Sequence, residues 1–236
     1  MGSGIYLAMS AAVVQSEALD VVANNIANSA TPGFQAEKLT FGEVLTNTGT
    51  HRYPYVAIDA SHIDQHGGSI TRTGNPLDLA LQGQGYFGIN TPNGVRYTRA
   101  GNFQVDPQHR ILMTHDGMGV RAQGGGEIQI PATTKRVNVA EDGTVSADGA
   151  LVGQLELSRF NGVDLVREGA SRFLAKAPPQ AGPPPTVVAE ALEGSNMNSV
   201  RGMVEMIHIM RTHQAAHTAM EHFKELDERA ARAGSG

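Results

Sequence analysis

The chain has 236 residues, 40% of them hydrophobic, 17% charged and 5% aromatic, which allows one or two modest domains with an unusually uncharged surface. Its 28 Gly and 11 Pro favour turns and short strands over a large helical core. A net charge of −5 with interspersed signs and no basic stripe argues against nucleic acid as a partner, and the lack of Cys excludes a disulfide framework, a thiolate metal site and a cysteine nucleophile.

From Ile5 the apolar or small residues Ile5, Met9, Ala12, Ser16, Leu19, Ala23 and Ile26 alternate in steps of four and three, the spacing of a coiled-coil seam. Val13, Val14, Val21 and Val22 lie off that seam, so the helix has more than one apolar side and more than one neighbour. Asn24, Asn25 and Asn28 are poor helix formers whose amides need partners. Thr31-Pro32-Gly33 ends the helix, because Pro32 biases Thr31 out of the helical region and Gly33 tolerates positive φ; Phe34 follows. No leader is expected: no Lys or Arg precedes Ile5, and no unbroken apolar run with a small-residue cleavage site follows. Met1-Gly2 fails as a myristoylation start because Tyr6 stands where Ser or Thr is needed. No stretch is expected to reach the length of a membrane span, so no direct membrane insertion is expected.

Residues 35–66 read as a linker or extended segment, and residues 67–176 as a β domain. Thr91-Pro92-Asn93-Gly94 predicts a hairpin, and Asp116-Gly117, Asp142-Gly143 and Asp148-Gly149 predict further turns. Asn161-Gly162, between Gln154–Phe160 and Val163–Val166, predicts the clearest hairpin of all. Residues 177–192 open with Ala-Pro-Pro-Gln-Ala-Gly-Pro-Pro-Pro and predict a semi-rigid spacer. Residues 193–236 carry a second helix from about Asn198 to Ala233, with the seam Met203, Met206, Met210, His213, His217, Met220 and Phe223. With residues 1–34 supplying the first helix, the expected class is α+β, paired terminal helices of coiled-coil type around a central all-β domain of short strands.

No catalytic constellation emerges. Gly83-Gln84-Gly85-Tyr86-Phe87-Gly88 matches a dinucleotide fingerprint, but no helix follows it to hold a pyrophosphate. His213 and His217 sit four apart, yet Gln214 stands where a zinc hydrolase needs Glu, so a polar interval in the helical seam is the favoured reading over a metal site. A metal-dependent enzyme using those histidines is the alternative from another class. No cofactor is expected.

Three blocks in order resemble the flagellar rod and hook protein family. The first is Tyr6-Leu7-Ala8-Met9-Ser10 with Asn24-Asn25-Ile26-Ala27-Asn28 and Thr31-Pro32-Gly33-Phe34. The second is Gly74-Asn75-Pro76-Leu77-Asp78 with Gly85-Tyr86-Phe87 and Tyr97-Thr98-Arg99-Ala100-Gly101-Asn102-Phe103; the third is Leu192-Glu193-Gly194-Ser195-Asn196-Met197-Asn198. Met210-Arg211-Thr212-His213-Gln214 departs from the family pattern, as does the missing Gly after Asp106 around His109-Arg110. The resemblance implies an axial subunit of the flagellar rod, of the proximal type first, with a distal-rod or hook-type axial subunit as the alternative, spanning the periplasm in the basal body. It further implies export by the flagellar type III apparatus without a cleaved leader, and other rod subunits and itself as partners in a helical tube. Ile5, Met9, Leu19, Ile26, Met203, Ile207 and Met210 are the expected buried assembly contacts, and Asn24, Asn25, Asn28, Pro32, Gly33 and Phe34 the expected specific ones.

Overall fold

A computed structural model describes residues 2–48 and 51–233. The chain divides into two compact units, one made of residues 1–27, 37–61 and 198–236, the other of residues 28–36 and 62–197.

In the first unit, helix α1 (Gly2–Ala27) packs against helix α2 (Ser199–Ala233) and against the strand Glu37–Thr48, which pairs with the strand His51–Ile63. The segment expected as a linker or extended segment is thus largely strand. Asn198 caps α2: its side-chain oxygen accepts the Arg201 amide at 3.0 Å, satisfying one of the amides that a helix start leaves without an internal partner. The expectation that no stretch approaches a membrane span is corrected, since Ile5–Ala27 is long and apolar enough by length and composition. That helix nevertheless lays two of its sides on α2 and the strand, and its exposed side carries Glu17 and Asp20.

The second unit is all β. Its main sheet has eight strands: Leu165–Arg167, Arg172–Ala175, Gly94–Thr98, Tyr86–Thr91, Gly119–Val120, Leu112–Thr114 and Phe103–Val105 in spatial order, with Leu157–Ser158 added on Tyr86–Thr91. A three-stranded sheet, Val137–Val139, Thr144–Ala147 and Ala150–Gln154, packs its Val139 and Val145 into the same apolar cluster as Phe87, Phe103, Leu112 and Val120. Phe87 and Phe103 meet edge to face at 5.1 Å, and Tyr86, Phe160, Leu165 and Phe173 form a second cluster. Truncating a buried Phe here costs about 3–5 kcal/mol.

The Thr91–Gly94 hairpin forms as expected, with Gly94 at φ +99°. The tip at Asp148-Gly149 has both residues left-handed, φ +49° and +87°, as a type I′ turn requires. The Asn161-Gly162 hairpin does not form. Gly162 starts a 3₁₀ turn, and Leu165–Arg167 pairs instead with Arg172–Ala175. A Cβ on Gly162 would lie 2.4 Å from the Ile63 carbonyl oxygen, so that glycine serves close packing rather than a tight hairpin. Residues 186–192, expected as the end of the spacer, lie instead in two strands, as does Glu193, expected in the C-terminal helical segment: Thr186–Ala189 pairs with Leu79–Gln82, and Ala191–Glu193 with Ile70–Arg72. Val187 and Ala191 are fully buried there.

Candidate assembly site

The helical face that meets α2 differs from the expected seam by a rotation. Ile5, Ala8, Ala12, Gln15, Leu19, Val22 and Ile26 are buried or half-buried in steps of three and four, whereas Met9, Ser16 and Ala23 are exposed, Met9 at 55%. A second buried row, Ser10, Val14, Ala18, Val21 and Asn25, lies about 120° around the helix at 100° per residue. The Ser10 hydroxyl accepts the Val56 amide at 3.3 Å, and Asn25 bonds the strand Glu37–Thr48, so this second row faces the strands. On α2 the inner row is Gly202, Met206, Ile209, His213, Ala216 and Met220. Met206, His213 and Met220 lie where the sequence put them, but Met203 and Met210 turn outward. Ala8, Ala12, Gly202 and Ala216 make a thin seam that permits close approach of the two helices.

Outside that seam runs an exposed apolar stripe on α2: Val200, Met203, Val204, Ile207 and Met210, each 50–70% exposed. On α1, Tyr6, Met9 and Val13 are likewise exposed. Lone surface apolar residues are ordinary, but a contiguous stripe marks an interaction surface.

The asparagines have three different fates. Asn25 is buried, and its amide spans both backbone groups of Glu37: Nδ2 donates to the carbonyl at 2.8 Å and Oδ1 accepts the amide at 3.0 Å. It acts as a neighbouring strand would, opening the strand without leaving a buried polar group unmet. Asn28 accepts the Thr31 amide at its carbonyl, 3.1 Å, and the Thr31 hydroxyl at its side chain, 3.2 Å, building the turn before Pro32. Asn24 lies on the exposed side.

After that turn, residues 33–36 are built into the β unit. Gly33 has φ +65°, and a Cβ there would sit 2.3 Å from the backbone of Arg99 and Ala100, so no other residue fits. Its amide donates to the Glu193 carbonyl at 2.7 Å. Phe34 is buried with the Arg167 guanidinium 4.4 Å over its ring, and Arg167 also donates to the Gln35 carbonyl. The Gln35 side-chain oxygen accepts the Tyr86 hydroxyl at 2.6 Å. Asn196 fastens three passages at once. It accepts the Ala36 amide at 2.7 Å, donates its own amide to Phe34 at 3.1 Å, and donates Nδ2 to the carbonyls of Asp64 and His66 at 2.8 and 2.9 Å.

Beside this junction Arg99 and Glu193, each 2% exposed, lie 3.4 Å apart. Arg99 also donates to the carbonyls of Leu81 and Gly83, and Glu193 accepts the Gly68 amide at 3.0 Å. Burial pushes the Glu193 carboxyl above its ordinary value, against the opposing pull of Arg99 and of the Gly68 amide. Burial likewise raises the Tyr86 hydroxyl.

Gly74–Asp78 forms a self-capped turn. Gly74 has φ +76°, and the Asp78 carboxylate accepts the Thr73 hydroxyl at 2.6 Å and the Asn75 side-chain Nδ2 at 3.0 Å. The Asn75 side-chain oxygen accepts the Leu77 amide, Pro76 is exposed at the tip, and Leu79 enters the core. The glycine run at Gly83–Gly88 leads into a strand, and Gly85 packs on Pro185. The dinucleotide reading has no helix start to stand on. The His213 and His217 rings lie edge to face at 4.6 Å, and among the described residues no group of three or more His, Asp or Glu is placed to hold a metal. Arg110, in the turn where a glycine was missed, adopts φ +58°, a conformation a glycine would take without strain.

Residues 5–35 match the description Flagella basal body rod protein, residues 80–147 the Flagellar hook protein FlgE/F/G D1 domain, and residues 188–233 the Flagellar basal body rod FlgEFG protein C-terminal. The flagellar basal-body rod protein FlgF of Mesorhizobium japonicum is 32% identical over 215 residues, covering 89% of each chain. FlgF of Caulobacter vibrioides is 31% identical over 241 residues, covering 98% of this chain and 97% of its own length. The chain belongs to the flagellar basal-body rod protein family. FlgG of Bacillus subtilis, 34% identical over 227 residues and covering 84% and 86%, marks the neighbouring rod type. Within this rod protein, the first match spans α1 and the turn to Gln35, and the third spans the closing strands, Glu193, Asn196 and α2. The resemblance passes through Arg99, Glu193 and Asn196, but the sequence alone assigns them no role. The one local signal is a charged residue set among short apolar strands.

Proposed function

We propose that this rod protein is a non-enzymatic structural subunit that polymerises with copies of itself and with other rod subunits into a helical tube. The carrying observation is the exposed apolar stripe Val200–Met210 on a helix pair whose inner seam is already filled. Met203, Ile207 and Met210, with Met9 on α1, are contacts between subunits in this reading. Ile5, Leu19 and Ile26 hold the helix pair within one subunit. Asn25, Gly33 and Phe34 act within the chain, and Asn24, near the end of α1, faces outward to a neighbour. The match to FlgF relatives over nearly the whole chain supports a proximal place in the rod, with a distal place second. Passage through the flagellar type III apparatus and a final position across the periplasm complete the reading.

Ile207→Asp tests it. The side chain is half exposed, so the free chain keeps its thermal midpoint within a few degrees, while motility and incorporation into basal bodies are lost. Normal swimming in Met203→Asp, Ile207→Asp double-variant cells counts against the stripe as an assembly surface.

A further inference from the structure

The β unit is assembled from segments distant in sequence, and its last segment holds positions nothing else fills. Among the described residues, Thr186–Ala189 is the only strand paired with Leu79–Gln82, and Ala191–Glu193 the only one paired with Ile70–Arg72. Val187 and Ala191 are fully buried, and the Ala191 amide donates to the Asp78 carbonyl at 3.0 Å, completing the Gly74–Asp78 turn. Gly33, from the other end of the unit, bonds the Glu193 carbonyl.

Electrostatics give the same segment a second hold. Arg99 is fixed in the interior by the carbonyls of Leu81 and Gly83, and the carboxylate beside it is that of Glu193, 94 positions later in the chain. A buried ion pair adds little net stability, yet removing one partner leaves an uncompensated charge in the interior, which is strongly destabilising. The raised Glu193 carboxyl fits this picture, because burial outweighs the attraction of Arg99.

We propose that the β unit folds only on completion: residues 186–196 close it last, and the unpaired charge of Arg99 bars a stable fold of the chain before Glu193 arrives. The unit stays open while its residues 28–36 and 62–185 are already present, then closes in one cooperative step. This goes beyond the assembly reading and does not rest on it, since every residue used lies in the second unit.

Two arms test it. In the first, chains of residues 1–197 and 1–185 are compared by near-UV circular dichroism and thermal melting. The longer chain melts cooperatively like the full protein; if it does not, residues 186–197 do not suffice to close the unit and the proposal is overturned. The shorter one lacks that transition and regains it when a peptide of residues 186–197 is added in excess. A cooperative melt of the 1–185 chain within a few degrees of the longer one overturns the proposal. In the second arm, in the full chain, Glu193→Ala lowers the thermal midpoint by about 10 °C, and Arg99→Met with Glu193→Leu recovers most of that loss. An unchanged midpoint in Glu193→Ala, or no recovery in the double variant, removes Arg99 as the barrier.

Discussion

Asn25 shows how one side chain can replace a strand neighbour. Its amide meets both the N–H and the C=O of Glu37, so removing it leaves two backbone groups without those partners where the strand begins. Asn25→Ala is expected to cost about 1–3 kcal/mol. Asn25→Asp should cost at least as much, because a carboxylate then faces the Glu37 carbonyl with no donor; an Asp variant as stable as wild type counts against the paired geometry. Asn196→Ala loses three side-chain bonds to two passages of chain and is expected to cost about 2 kcal/mol or more, read as faster amide exchange at Ala36. Glu193 gives a pH signature. Its folded-state pKa is raised, so the folded chain holds a proton that the unfolded chain has already released. The associated stability is therefore complete below the ordinary carboxylate value and is lost as pH rises through the raised one. Glu193→Gln should flatten that part of the stability profile above about pH 4.5, while an unchanged slope would assign it to other groups.

At the scale of elements, the two helices were legible and their facing sides only partly so. Steps of three and four select a helix, but α1 is apolar or small on nearly every side, so two seams fit the pattern and the one through Met9 is rotated from the one that packs. Small residues decide the true seam: Ala8, Ala12 and Gly202 let backbones approach, which hydrophobicity alone undervalues. Gly202→Leu should therefore destabilise the helix pair by about 1–3 kcal/mol through overpacking, measured as a lower helical melting midpoint. Gly202→Ala tests degree, with a smaller loss. Turns were legible where their chemistry is local, as at Asp148-Gly149. At Asn161-Gly162 they were not, because the glycine answers to the Ile63 carbonyl from far away in sequence. The closing strands were hidden for the same reason. Thr186–Glu193 is short and follows a proline run, and only its partners at Leu79–Gln82 and Ile70–Arg72 make it strand.

For the whole molecule, the two units differ in what holds them. The β unit has two buried clusters with Phe87, Phe103, Tyr86 and Phe173 inside, a fastened junction at Asn196, and a buried charge pair. The helical unit relies on a seam of Ala, Gly and half-buried Met, and leaves its largest apolar side chains on the outside. Local opening is easiest where buried apolar contact is thinnest, so the helices should open first in the free chain. Brief digestion of the unassembled protein is expected to remove α1 and α2 and leave a resistant core built on residues 62–197. In assembled rods the same sites should be protected, because the stripe Val200–Met210 would then lie against a neighbour. The comparison separates assembly-coupled ordering from a helix pair that is stable alone. If the free chain protects its helices as fully as its β unit, the helices do not wait for a partner. The stripe would then serve docking between folded subunits rather than completion of their fold.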